Sequence, residues 1–125
     1  MVQVSVTIKG LDELAAKLQH LGEEVRTKAK EEIMTSALEI ESRAKELCPV
    51  DTGRLRSSIR TDSSTEGEEL GATVFTDVDY APYIELGTSR MAAQPFLVPA
   101  VEQVAPQMIR NLETIIQNAT EKVGD

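Results

Sequence analysis

The apolar residues of this chain recur with two different periods. Over residues 2–8 every second residue is apolar, which predicts a half-buried β-strand. Between Leu11 and Leu47 an apolar or small residue instead recurs about every 3.6 residues, which predicts a long helix with one buried face. The positions on this face are Leu11, Leu14, Leu18, Leu21, Val25, Ala29, Ile33, Ala37, Ile40, Ala44 and Leu47.

A continuous helix over residues 11–47 is too long for a domain of this size. Its length would be about 55 Å at about 1.5 Å per residue. A compact domain of 125 residues is about 28 Å across. Because a glycine inside a helix costs about 1 kcal/mol relative to alanine, Gly22 is the weakest position. We therefore expect the helix to break near Gly22, or to pack partly against another chain.

The second half of the chain predicts a β-hairpin and two further helices. Strands are expected at residues 55–62 and 71–78, on either side of a polar tip over residues 62–71. A short helix is expected over residues 82–86 and should end at Gly87.

The last helix carries two prolines. Pro99 fits its first turn, where the missing N–H does no harm. Pro106 lies inside the apolar stripe and removes a backbone hydrogen bond, so a kink or restart is predicted near residue 105. The stripe consists of Val101, Val104, Met108, Ile109, Leu112, Ile115, Ile116 and Ala119.

These elements together predict an α+β fold in a single domain spanning residues 1–125. A small, mostly antiparallel sheet would pack against the long N-terminal helix and the C-terminal helix.

Composition narrows the classes of function. Hydrophobic residues make up 41% of the chain and charged residues 27%, a balance typical of a globular domain. The formal net charge is −8, and residues 61–125 hold all of it, with three basic and eleven acidic side chains. Tight binding to the DNA backbone or to an anionic membrane would need clustered Lys and Arg. Both are therefore disfavoured.

Few side chains suit catalysis or metal binding. Cys48 is the single cysteine and His20 the single histidine, which excludes an internal disulfide and a Cys-rich zinc site. We expect no cofactor and no metal site.

Two short patterns leave other functions open. Asp51-Thr52-Gly53 matches the active-site tripeptide of aspartic proteases, so a homodimeric protease using Asp51 is one alternative. The tripeptide follows a long helix and Pro49 rather than a buried strand, which favours a turn. The second alternative is a DNA-contacting module that uses Arg54, Arg56 and Arg60, which would share one face of a strand.

Residues 80–99 concentrate both tyrosines, one of two phenylalanines and three of five prolines. Aromatic side chains are typical anchors of protein interfaces, and proline makes a loop rigid before it binds. Closure of the core would explain the same composition equally well. We expect an assembly role for this segment, with Tyr83 and Phe96 as its anchors.

Two segments, taken together, resemble a known family. Residues 49–59, PVDTGRLRSSI, follow the long helix, while residues 80–89, YAPYIELGTS, precede residues 91–100, MAAQPFLVPA, and a final helix. This order resembles the small tail-component family of tailed phages and prophages. That family includes tail-completion or neck proteins, similar to the Z protein of lambda-like phages. Its own pattern contains a Pro-x-Asp-Thr-Gly turn, which also argues against the protease.

The resemblance implies a structural protein without catalytic residues that acts in tail completion or head–tail joining. It would be made in the cytoplasm of the bacterial host and end up in the virion. Its implied partners are tail-terminator, head-closure or tail-tube proteins, with assembly as a homo-oligomer or ring, no membrane and at most passing contact with DNA. Pro106 departs from the continuous final helix that the family leads us to expect.

The positions that match the family pattern are expected to have structural or interfacial roles. They are Asp51, Thr52, Gly53, Leu55, Tyr80, Tyr83, Glu85, Gly87, Thr88, Gln94, Pro95, Phe96 and Pro99.

Overall fold

A computed structural model describes residues 4–9, 22–50, 53–62 and 71–124 of the chain. The fold class is α+β, as the sequence predicts. The elements, in chain order, are β1 (Val4–Lys9), α1 (Gly22–Leu47), α2 (Arg54–Ser58), β2 (Arg60–Asp62), β3 (Gly71–Thr76), α3 (Ala81–Leu86) and α4 (Leu97–Gly124).

The three strands form one antiparallel sheet in the order β1-β3-β2. Along β3, buried residues alternate with half-buried ones, and the buried ones are Ala72, Val74 and Thr76. The register pairs these three with Ile8, Val6 and Val4, which are the apolar positions of the alternating N-terminal pattern. The predicted hairpin is confirmed by the pairing of β2 with β3, and most of its tip, residues 63–70, lies outside the described residues.

Helix α1 begins at Gly22, the position at which the sequence allowed a break. The helix begins at this residue, whose φ of +84° lies in the left-handed region, so a right-handed helix does not continue through it. Residues 11–21 of the predicted helix lie outside the described residues. Over the rest, the predicted face is confirmed, since Ala29, Ile33, Ala37, Ile40 and Ala44 are buried.

Helices α1 and α4 pack against each other in opposite directions along their length. Arg43 donates to Gln103 at 3.1 Å, while Asn111 donates to Glu32 at 2.8 Å, so a later residue of α1 meets an earlier residue of α4. The core lies between this helix pair and β3, with Phe96, Leu97, Val104, Met108 and Leu112 as the large apolar contributions of α4 and the turn before it. The last turn of α1 and the first turn of α4 therefore lie at the same end of the molecule.

The strand predicted from residue 55 is shorter than expected. Residues 54–58 form α2, and only Arg60–Asp62 pairs with β3. Leu55 and Ile59 are both buried, and their spacing of four residues suits one face of a helical turn as well as a strand. The period-2 interpretation of this stretch was therefore wrong for residues 55–58.

Helix α4 is one element of 28 residues with Pro106 inside it, so the helix does not restart near residue 105, and of the two alternatives only the kink stays a prediction. Pro106 is exposed, while Val104 and Met108 on either side are buried against the core. Apolar burial on both sides of the proline outweighs the lost backbone hydrogen bond.

Candidate functional site

Four elements meet at one end of the helix pair. This end contains the last turn of α1, the short helices α2 and α3, and the first turn of α4. The ring of Tyr80, just before α3, lies 6.0 Å from the Arg54 guanidinium of α2.

Glu85 connects α3 to α4. The residue is only 7% exposed, and its carboxylate accepts hydrogen bonds from the backbone N–H groups of Phe96, Leu97 and Val98 at 3.1, 2.9 and 3.3 Å. These donors belong to the beginning of α4, where helix N–H groups have no partner within the helix. The negative charge also suits the positive end of the helix dipole. Glu85 thus holds the start of α4 against α3.

Gly87 allows the chain to turn sharply after α3. Its φ of +77° is unfavourable for other residues, and its N–H donates to the Tyr83 carbonyl at 2.8 Å. A Cβ at this position would lie 2.7 Å from the Ala93 nitrogen and 3.0 Å from the Met91 oxygen. Glycine is therefore required here both by the backbone conformation and by the close approach of residues 91–93.

The loop that follows is held by its own hydrogen bonds. The Thr88 hydroxyl accepts from the N–H groups of Arg90 and Met91 at 3.2 and 3.1 Å, and the Thr88 N–H donates to the Met91 carbonyl at 2.8 Å. The Gln94 N–H donates to the Ile84 carbonyl of α3 at 2.8 Å. All eight residues from 88 to 95 are exposed. The loop is thus a projecting segment with a defined shape.

Large exposed apolar side chains collect at this end. Tyr83 is 58% exposed and Leu86 is 78% exposed, one helical turn apart on α3. We call the whole set the apolar end, which consists of Leu47, Val50, Tyr80, Tyr83, Leu86, Met91 and Val98. Among the described residues, Leu38 on α1 is the remaining large exposed apolar side chain. Contiguous exposed apolar surface is typical of protein interaction sites.

The arginines of the turn region do not form the single basic face that a strand would give them. Arg54 lies over Tyr80, whereas Arg60 pairs with Asp77 at 3.1 Å and lies over the ring of Phe75. Arg56 is exposed on α2. The prediction of one strand face with Arg54, Arg56 and Arg60 is therefore wrong, because residues 54–58 are helical and only Arg60 lies on the sheet.

The other motif positions have mainly structural surroundings. Asp51 and Thr52 lie outside the described residues. Gly53 precedes α2 with φ +82°, and Leu55 is buried. Phe96, expected as an interface anchor, is fully buried in the core of this chain, whereas Tyr83, the other expected anchor, is exposed.

The remaining motif residues lie along the same loop and helix. Thr88, Gln94 and Pro95 are exposed on the loop, and half-buried Pro99 lies in the first turn of α4, as predicted.

The sequence reasoning did not single out several exposed residues of this end. Leu86, Met91, Val98 and Arg90 lie next to the motif positions but are not among them. Helix α3 buries Ala81 and Glu85, and Leu86, one position after Glu85, lies about 100° around the helix from it. Leu47 and Val50 are distant in sequence, and only the packing of α1 against α4 brings them to this end.

Cys48 follows α1 and is buried. Burial raises the pKa of the thiol, while the charge of the nearby Arg56 side chain and a backbone hydrogen bond lower it by less. The Cys48 thiol lies 3.4 Å from the Lys45 carbonyl.

The described helices include none that combines the length and apolarity of a membrane span.

A family model matches residues 12–87 of the chain, more than half of its length. Its description is "Bacteriophage HK97-gp10, putative tail-component". The chain belongs to this HK97 gp10-like family. The resemblance found in the sequence is thereby confirmed, and the protein is a structural protein related to phage tails. No curated protein and no solved structure matches the chain. The matched region includes α1, the sheet strands β2 and β3, and α3, but ends before the loop and α4.

Proposed function

We propose that this HK97 gp10-like protein acts in tail completion or head–tail joining of a tailed phage or prophage. The observation that carries the proposal is the apolar end, together with the projecting loop that Glu85 and Gly87 hold in place. Such a surface suits a part that binds its neighbours in a particle. Some motif residues would contact a partner at this surface, and others would shape it. These residues are Tyr80, Tyr83, Glu85, Gly87 and Thr88.

The mechanism would be protein–protein assembly rather than catalysis. The protein would be part of the virion and would work as an oligomer, or on a ring of tail-terminator, head-closure or tail-tube proteins. A rigid loop loses little conformational entropy on binding, which favours assembly from preformed parts. The net charge of −8 supports at most passing contact with DNA, because it repels the phosphate backbone.

Electron microscopy of particles produced without this gene tests the proposal. We expect heads and tails that remain separate, or tails with an unfinished end, and few infectious particles. A plasmid-borne wild-type gene should restore joined particles, which controls for effects on neighbouring genes. Complete, infectious virions with normally joined tails in the absence of the gene would overturn the proposal.

A further inference from the structure

The charges around the apolar end differ from those of the rest of the chain. Three arginines lie at this end, namely Arg54, Arg56 and Arg90, against two exposed carboxylates, Glu46 and Asp79. Among the described residues, the remaining carboxylate here, that of Glu85, is buried on the backbone of α4. The described side chains of this end therefore sum to a charge close to zero, whereas the whole chain carries −8.

These arginines are exposed. Arg56 is exposed on α2 and Arg90 is exposed at the tip of the loop, and neither side chain has a hydrogen-bond or ion-pair partner among the described residues. In contrast, Arg43 and Arg60 are paired with Glu39 and Asp77. An exposed guanidinium beside apolar surface is typical of a protein interface, where it pairs with a carboxylate of the partner.

We infer that the apolar end docks onto a different protein, on an apolar patch bordered by carboxylates that pair with Arg56 and Arg90. This inference deepens the proposed function and rests on it. Tyr83 and Leu86 would be the central anchors, because they are strongly exposed on a helix that Glu85 and Gly87 hold in place. Met91 and Val98 would contact the border of the same patch.

A second copy of this chain fits the apolar end less well. A head-to-tail contact needs a second apolar surface, and among the described residues only Leu38 lies exposed away from this end. The next residue along the chain, Glu39, already pairs with Arg43 of the same helix. In a symmetric contact the same patch lies on both sides, so the exposed Arg56 and Arg90 of one chain would face those of the other. Any ring of this protein would then use other surfaces.

The test uses two charge-introducing variants and two matched controls. Leu86→Glu places a carboxylate at the centre of the apolar end, and Arg90→Glu reverses a charge on the loop. Leu38→Glu and Lys30→Glu make the same changes at exposed positions on α1. Thermal unfolding of the four purified full-length variants, followed by circular dichroism, establishes that each is folded.

Each variant gene is expressed in cells that carry the phage genome with this gene deleted, and infectious particles are counted. We expect Leu86→Glu and Arg90→Glu to lower the titre about 30-fold or more, as expected for the loss of an anchor residue. Leu38→Glu and Lys30→Glu should stay within about twofold of wild type, as exposed positions outside an interface do. If both end variants support wild-type titres, the inference is overturned while the proposed function stands. If the deletion without any complementing gene gives a full titre, the proposed function itself fails.

Two further measurements separate the possible occupants of the apolar end. Sedimentation of the wild-type protein and of Leu86→Glu at increasing concentration tests for binding of a second copy. We expect the two proteins to sediment alike. An association of the wild-type protein that Leu86→Glu abolishes would overturn the inference in favour of a second copy. Binding to purified tail-terminator, head-closure and tail-tube proteins of the same phage should show one partner whose affinity falls with Leu86→Glu. That affinity should also fall as salt is added, because the arginine pairs are screened. Equal binding by Leu86→Glu and wild type to every one of them would contradict the inference.

Discussion

Among single residues, Glu85 illustrates how one buried side chain can connect two helices. Its carboxylate receives three backbone N–H groups at the start of α4, and two of these donors, those of Phe96 and Leu97, are buried. Buried donors without a partner are costly, so the carboxylate and the helix end depend on each other. The sequence marked Glu85 as a motif residue but could not show this role, because its partners lie 11 to 13 residues away.

The first prediction concerns this carboxylate. Glu85→Gln should lower the free energy of unfolding by about 1–2 kcal/mol, because the neutral amide is a weaker acceptor and turns an NH₂ group towards N–H donors. Urea denaturation measures this loss. Glu102→Gln, an exposed change on α4, is the control and should cost less than about 0.5 kcal/mol. Equal midpoints for the two variants would show that Glu85 does not stabilise the start of α4.

The second prediction separates backbone conformation from close contact at Gly87. Gly87→Ala should lower the free energy of unfolding by about 3 kcal/mol or more, since φ +77° with ψ 175° is a region open almost only to glycine and the new Cβ meets Ala93. Gly53→Ala should cost about 1–2 kcal/mol, because Gly53 also has positive φ but its Cβ would meet nothing within 4 Å. Thermal unfolding of both variants gives the comparison. A smaller loss for Gly87→Ala than for Gly53→Ala would contradict the geometry of the turn.

Among the elements, those with a clear local signal were predicted and those that depend on packing were not. The alternation of residues 2–8 and the apolar face of α1 are local patterns, and both correspond to elements of the structure. Helix α2 was missed because the Leu55 and Ile59 pair, four residues apart, fits either period. The packing of Leu55 and Ile59 in the core decides between the helical and the strand period. Packing of this kind cannot be derived from a stretch of six residues.

The third prediction concerns Pro106 in α4. Pro106→Ala should raise the free energy of unfolding by about 1–2 kcal/mol, because alanine restores the backbone donor and removes the clash one turn earlier. Replacing proline also makes the unfolded chain more flexible, which lowers the gain in the free energy of unfolding by about 0.5–1 kcal/mol. The expected gain given above already includes this loss. Glu113→Ala, at another exposed position of α4, should change it by less than about 0.5 kcal/mol. If Pro106→Ala destabilised the protein in urea denaturation, α4 would need the proline for its shape.

At the scale of the whole molecule, the fold gathers residues that are far apart in sequence. The apolar end takes Leu47 from the last turn of α1 and Val50 from just after it, Tyr83 and Leu86 from α3, and Val98 from α4. No local pattern predicts this surface, since it depends on α1 and α4 running in opposite directions. The sequence did locate its central part, residues 80–99, from the aromatic and proline content. It also placed Phe96 in the interface, although the structure uses this ring in the core.

The fourth prediction uses Cys48 to report opening of the core. Because burial raises the pKa of this thiol, less of the reactive thiolate is present at pH 8 than for a free cysteine. Labelling with a thiol reagent should therefore be much slower in the folded protein than in urea, and should become faster as the pH rises. Labelling at the same rate in both states would contradict the burial of Cys48.

The central claim is that the protein is a structural part of the virion, at the place where the tail is completed and joined to the head. Immunogold electron microscopy of purified virions, with antibodies against this chain, tests that claim most directly. We expect gold at the junction of head and tail, with particles from the gene deletion as the unlabelled control. Gold on the capsid or the distal tail tip, or virions that carry no gold, would contradict it.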